Sequence, residues 1–167
     1  ASGDWFGRSV AINGDTIVVG SPYNDDGGDD SGSAYVFRTT DGGATYGQVA
    51  KLTADDAAAN DMFGGSVAID GATVVVGATQ WLNAGSGVAY VLRTTDGGAT
   101  YGQVAKLTAA DAAAYDSFGY SVAIDGSTVV VGAHAKNSGR GAVYVFSTSD
   151  GGATYAEVAK LTASDAA

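Results

Sequence analysis

The chain has 167 residues, 46% of them hydrophobic, with 26 glycines, one proline, no cysteine and a formal net charge of −10. Eight Lys and Arg against 18 Asp and Glu exclude a nucleic-acid binder, which needs clustered cations to track phosphates, and disfavour an anionic membrane surface. Without cysteine there are no disulfides and no thiolate metal centres, and no apolar run approaches the ~20 residues of a membrane-spanning helix.

Taken in chain order, the first predicted strand is Ser9–Ile12, closed by "NGD" at Asn13. Asn-Gly and Asp-Gly between apolar runs signal two-residue hairpins in which both central residues take positive φ. The second strand is the continuous apolar run Ile17–Val19, and a strand apolar on both faces should be covered on both. The third is Tyr35–Phe37, which turns at "DGG" (Asp41) into a fourth ending at Leu52. This plan then repeats. "FGRSVAI" at Phe6 returns as "FGGSVAI" at Phe63 and "FGYSVAI" at Phe118, and each copy closes on "DGGATY" followed by "VAKLTA". Glycine here punctuates turns. Four antiparallel strands about every 55 residues describe a propeller blade. The expected fold is therefore all-β, a β-propeller of four-stranded antiparallel blades. Three blades fall in each chain, at 1–57, 58–112 and 113–167. Lys51, Lys106 and Lys160 recur on the fourth strand, where a charge guards an edge against stray pairing.

The pairs Phe6-Gly7, Phe63-Gly64 and Phe118-Gly119, with Gly20-Ser21-Pro22, Gly77-Ala78-Thr79 and Gly132-Ala133-His134 after the second strands, resemble the FG-GAP repeat of integrin α-subunit propellers. The resemblance implies extracellular or cell-surface recognition and adhesion without catalysis. Many members carry a calcium loop between the first two strands; "NGD", "DGA" and "DGS" are too short to wrap an ion with six or more oxygens, so those sites are not carried over.

Three blades cannot close a ring, since propellers run typically from four to eight. The apolar blade faces at either end then need covering. The tail "LTASDAA" read into the head "ASGDWFG" reproduces the internal joint "LTADDAAANDMFG" with one extra residue. The expected partner is the chain itself, ring completion coming by head-to-tail oligomerisation: a homodimer of six blades or a homotrimer of nine. A processed chain or a piece of a longer propeller would read the same way.

Length changes among the copies fall in the loop between second and third strands, so recognition is expected there. In the first loop Asn24, Asp25, Asp26, Asp29 and Asp30 gather hard oxygens suited to calcium; the other reading is a solvated acidic loop. Tyr23, Trp81 and His134 are the candidate ligand contacts, for a protein or a glycan partner. Arg8, Gly65 and Tyr120 differ at one repeated position and are expected to face the central channel. No catalytic constellation is present: His134 is the single histidine, and no serine sits in a nucleophile elbow. Two functions remain open, a non-catalytic adhesion or assembly segment, and a carbohydrate- or calcium-dependent lectin-like module using the strand 2–3 loops.

Overall fold

The structure, a computed structural model, describes residues 2–80, 82 and 84–165. It consists of three four-stranded antiparallel sheets, each in simple sequential order. The first blade is β1 (Ser9–Asn13), β2 (Thr16–Ser21), β3 (Ser33–Arg38) and β4 (Gly47–Leu52). The second is β5 (Phe63–Asp70), β6 (Thr73–Ala78), β7 (Val88–Arg93) and β8 (Gly102–Leu107). The third is β9 (Phe118–Asp125), β10 (Thr128–Ala133), β11 (Ala142–Ser147) and β12 (Ala156–Leu161).

The first hairpins lie one residue later than the sequence suggests. Asn13 pairs Thr16, Asp70 pairs Thr73 and Asp125 pairs Thr128, so the central residues are Gly14-Asp15, Gly71-Ala72 and Gly126-Ser127. Only the glycines are left-handed, each at φ 54°. Glycine at the first central position is the type II′ arrangement, whose twist also suits the flanking strands. At the other hairpin of each blade, the Asp41, Asp96 and Asp150 carboxylates accept from the Thr45, Thr100 and Thr154 hydroxyls, each at 2.6 Å. These hydroxyls, with nearby backbone amides and the Thr39, Thr94 and Thr148 hydroxyls, hold all three carboxyls well below the usual range.

The blades pack face to face, and the core lies between them. One cluster joins β2 and β3 to β5–β7 through Val18, Val36, Phe63, Val74 and Val76; the other joins β6 and β7 to β9–β11 through Val75, Val91, Phe118, Val129 and Val131. The middle blade is covered on both faces, so five of the six residues of β6 are buried; β10, of identical sequence, alternates buried and half-buried because one face is open.

Sheets approach closely because glycine stands at the contact. A Cβ on Gly20 would lie 2.0 Å from the Gly64 carbonyl oxygen, and one on Gly77 would lie 2.0 Å from that of Gly119. In the space left free, the Ser9 hydroxyl donates to the Gly64 carbonyl at 2.9 Å and the Ser66 hydroxyl to that of Gly119 at 2.8 Å. At Gly132 a Cβ would press only on the movable Ser121 hydroxyl. Gly77→Ala is expected to cost about 2–3 kcal/mol in denaturant unfolding, because a backbone carbonyl must yield, and Gly132→Ala under about 1 kcal/mol.

Candidate functional site

Three arrangements stand out: the joints between blades, their unfilled counterparts at the two open faces, and a pocket on the inner rim. Each joint seats a Phe. The Phe63 amide donates to the Ser31 carbonyl at 3.0 Å and the Phe118 amide to the Ser86 carbonyl at 2.9 Å. Their rings tilt against Tyr90 and Tyr144, with centroids 5.5 and 5.4 Å apart. A second contact crosses the same joints. Asp56 accepts from Tyr90 at 2.9 Å and Lys106 at 2.5 Å; Asp111 accepts from Tyr144 at 2.6 Å and Lys160 at 2.5 Å. Lys106 and Lys160, read from sequence as guards of an edge, thus also bind the linker of the preceding blade. A third contact is the Arg38 guanidinium on the Gly97 carbonyl, repeated by Arg93 on Gly151; the third blade has Ser147 at that place.

The open faces carry the same parts without their mates. Phe6 is 57% exposed, whereas Phe63 and Phe118 are at 0% and 1%. Leu161 is 53% exposed, whereas Leu52 and Leu107 are at 4% and 3%. Beside Leu161 runs a groove of about 390 Å³ that includes Ser121, Gly132, Gly141, Ala142 and Ala163. By position in the repeat, this is the socket that holds Phe63 against Gly32, Ala34, Leu52 and Ala54 in the first joint.

The acidic loop is folded onto its surroundings. The Asn24 side-chain amide donates to Asp4 at 2.8 Å, and its oxygen accepts from Ser33 at 2.8 Å and Lys51 at 2.9 Å. Asp25 accepts from the Asp30 amide at 2.9 Å, and Asp26 pairs with Lys51. The Asp29 and Asp30 carbonyls accept from the Asn60 and Met62 amides at 2.8 and 3.0 Å, tying the loop to the next linker. No group of three or more His, Asp or Glu side chains placed to hold a metal ion occurs among the described residues. Trp81 lies outside the described residues.

Tyr23 and His134, distant in sequence, border one pocket of about 380 Å³. Tyr23 packs edge-on against Trp5 at 4.6 Å, and the His134 and Tyr120 rings lie tilted at 4.1 Å. Arg8, Gly65 and Tyr120 line it too, as their place in the repeat suggests. Met62 and Ser117 also face it, at the position before each Phe that differs between the copies and carries Trp5 in the first. Sequence reasoning missed Lys136, whose buried ammonium pairs with Asp116 at 2.7 Å.

The joint carboxylates carry a pH dependence. Lys160, with Tyr144, holds the Asp111 carboxyl down to about 2, and Lys106, with Tyr90, lowers that of Asp56. A carboxyl depressed by folding stabilises the fold above its unfolded value of ~3.9, and that contribution is lost as pH falls through the folded value. Thermal midpoints followed from pH 5 to pH 2 should therefore drop, and drop less steeply in Asp56→Asn/Asp111→Asn. At pH 7 that variant should be less stable by about 1 kcal/mol, given half-exposed ion pairs.

Compared with known proteins, the chain is similar in fold to Sqt1 of Saccharomyces cerevisiae, with TM-score 0.60 and 12% identity over 96% of this chain and 37% of that one. It is also similar to a protein of unknown function from Dyadobacter fermentans DSM 18053, with TM-score 0.54 and 18% identity over 92% of this chain and 50% of that one. The chain thus spans half or less of either structure, and at such identities the likeness concerns fold alone. No curated protein matches it. The family model described as FG-GAP repeat matches residues 1–37, 46–92 and 101–146, the second and third matches each running from the fourth strand of one blade through the first three of the next, and the chain belongs to the FG-GAP repeat family.

Proposed function

We propose that the chain is a non-catalytic propeller segment whose blade ends mate head to tail with a second copy, serving assembly or adhesion at an extracellular or cell-surface location. The observation that carries this reading is the pairing of an exposed Phe6 with an empty groove at Leu161, when the same plug and socket are closed twice within the chain. Seating Phe6 and covering Leu161 would each contribute about 1.5–3 kcal/mol.

The remaining parts agree in register. Ser121 at the open face corresponds to Ser9 and Ser66, whose hydroxyls bind the carbonyl of the incoming glycine; Gly7 would supply that carbonyl. Asp165 corresponds to Asp56 and Asp111, and Lys51 with Tyr35 to the pairs those carboxylates bind, Lys51 already lying over the Tyr35 ring at 5.4 Å. The two surfaces of such a contact differ, so the contact is heterologous and closes a ring when its rotation allows. Two copies give six blades, inside the common range, and three give nine.

Light scattering on the purified chain should report a dimer, or a trimer if nine blades close. Phe6→Ala and Gly132→Ala should each yield a monomer with unchanged circular dichroism, the second because its Cβ would strike the partner's carbonyl. A folded monomer from the unaltered chain overturns the proposal, as does an oligomer indifferent to both substitutions.

A further inference from the structure

We propose that the inner-rim pocket binds a carboxylated sugar, a uronic acid residue, with Arg8 holding the carboxylate and the rings of Tyr120 and Tyr23 receiving the sugar faces. The first argument comes from the repeat itself. On either side of the pocket the three copies are nearly identical, as in Phe-Gly before and Ser-Val-Ala-Ile after. At the lining positions they diverge completely: Arg8, Gly65 and Tyr120 at one, Pro22, Thr79 and His134 at another. A lining needed only to hold a symmetric scaffold would repeat with the scaffold. This one is different in each blade, as a surface shaped to an asymmetric ligand must be.

The second argument is a third lining position of the same kind. Ser117 and Met62 border the pocket and stand, with Trp5, at the residue before each Phe. The left-handed backbone there repeats with the scaffold, at φ 53°, 58° and 56° for Trp5, Met62 and Ser117, while the side chain differs in each copy.

Charge and shape select the ligand class. Arg8 forms no ion pair among the described residues, in a chain with a formal net charge of −10. An uncompensated guanidinium suits a carboxylate through two parallel hydrogen bonds. The acidic surroundings repel a bare anion, so binding must also draw on ring contacts. Tyr120 is half exposed and Pro22 and Met62 supply an apolar floor; a sugar presents C–H faces to such surfaces and hydroxyls to Ser117 and Thr79. A cavity of about 380 Å³ lies within the usual range for small-ligand sites. All of these residues belong to one chain, and His134 also borders the groove beside Leu161.

The test is a nitrogen-15 amide titration of the full chain with sodium glucuronate, glucose, acetate and the peptide Gly-Asp-Gly. Glucuronate should give saturable shifts at Arg8, Ser117 and Tyr120 with millimolar affinity, at least tenfold tighter than the other three. Arg8→Gln should weaken glucuronate at least tenfold, to the level of glucose, without moving the thermal midpoint. Tyr120→Ala should weaken both sugars, whereas Gly132→Ala should leave binding unchanged even where it alters assembly. Absence of saturable shifts, equal response to glucose or acetate, or tighter binding of the peptide overturns the proposal.

Discussion

The backbone contact between neighbouring blades governs everything else in this molecule. At Gly20 against Gly64, and again at Gly77 against Gly119, one sheet's carbonyl occupies the place where a side chain would begin. That approach brings the Ser9 and Ser66 hydroxyls within reach of the facing carbonyls. It also drives Phe63 and Phe118 down onto the tyrosines of their own third strands. With any larger residue at the contact the sheets would stand apart, and the Val-rich faces of β2, β6 and β10 would meet nothing. Glycine costs conformational freedom in the unfolded chain, and here the cost is offset by a dry interface along a whole sheet.

Because each blade touches only its neighbours, stability is a sum of blades and joints. The joints are not all equal. The Asp–Tyr–Lys contact has counterparts for every blade, with Asp165 placed to continue it. The arginine contact does not, since Arg38 and Arg93 are followed by Ser147. The proposed contact of the third blade with a further blade would therefore keep the backbone, Phe and carboxylate parts and lack the guanidinium. Such a joint would be weaker than the internal ones, as suits a contact formed after the chain has folded.

Much of the architecture was legible in the sequence because it depends on local chemistry repeated three times. The Val runs, the Phe-Gly pairs and the Asp-Gly-Gly turns each mark an element by residue type. The first hairpin slipped by one residue for a physical reason: Asn13-Gly14 and Gly14-Asp15 both offer a turn, and pairing of Asn13 with Thr16 decides between them. The acidic loop shows a deeper limit. Its oxygen density was legible, whereas the role of Asn24 as a buried hub for Asp4, Ser33 and Lys51 was not. Those partners lie up to 27 residues away, and no local pattern announces them. Lys136 was missed similarly, as its partners Asp111 and Asp116 belong to the linker before its own blade. The rim pocket was half visible: Arg8 and Tyr120 were singled out at one repeated position and Tyr23 and His134 in the loops, and only the blade arc shows that the two sets share a space.

The middle blade serves as a control within the molecule. Val75, Ala89 and Val91 are completely buried there, while their counterparts in the third blade, Val130, Val143 and Val145, are half-buried beside an open face. The same residues thus make a core when a blade lies against them and a sticky surface when none does. An apolar face of that kind invites any hydrophobic partner, so selectivity has to come from shape. In the proposed contact, Gly132, Gly141 and the groove between them would admit a backbone carrying Phe-Gly and hold off a bulkier edge. The formal charge of −10 would add general repulsion between copies, which a closely fitting contact must overcome. Apolar attraction would then supply the energy of that joint, and the missing Cβ atoms its specificity.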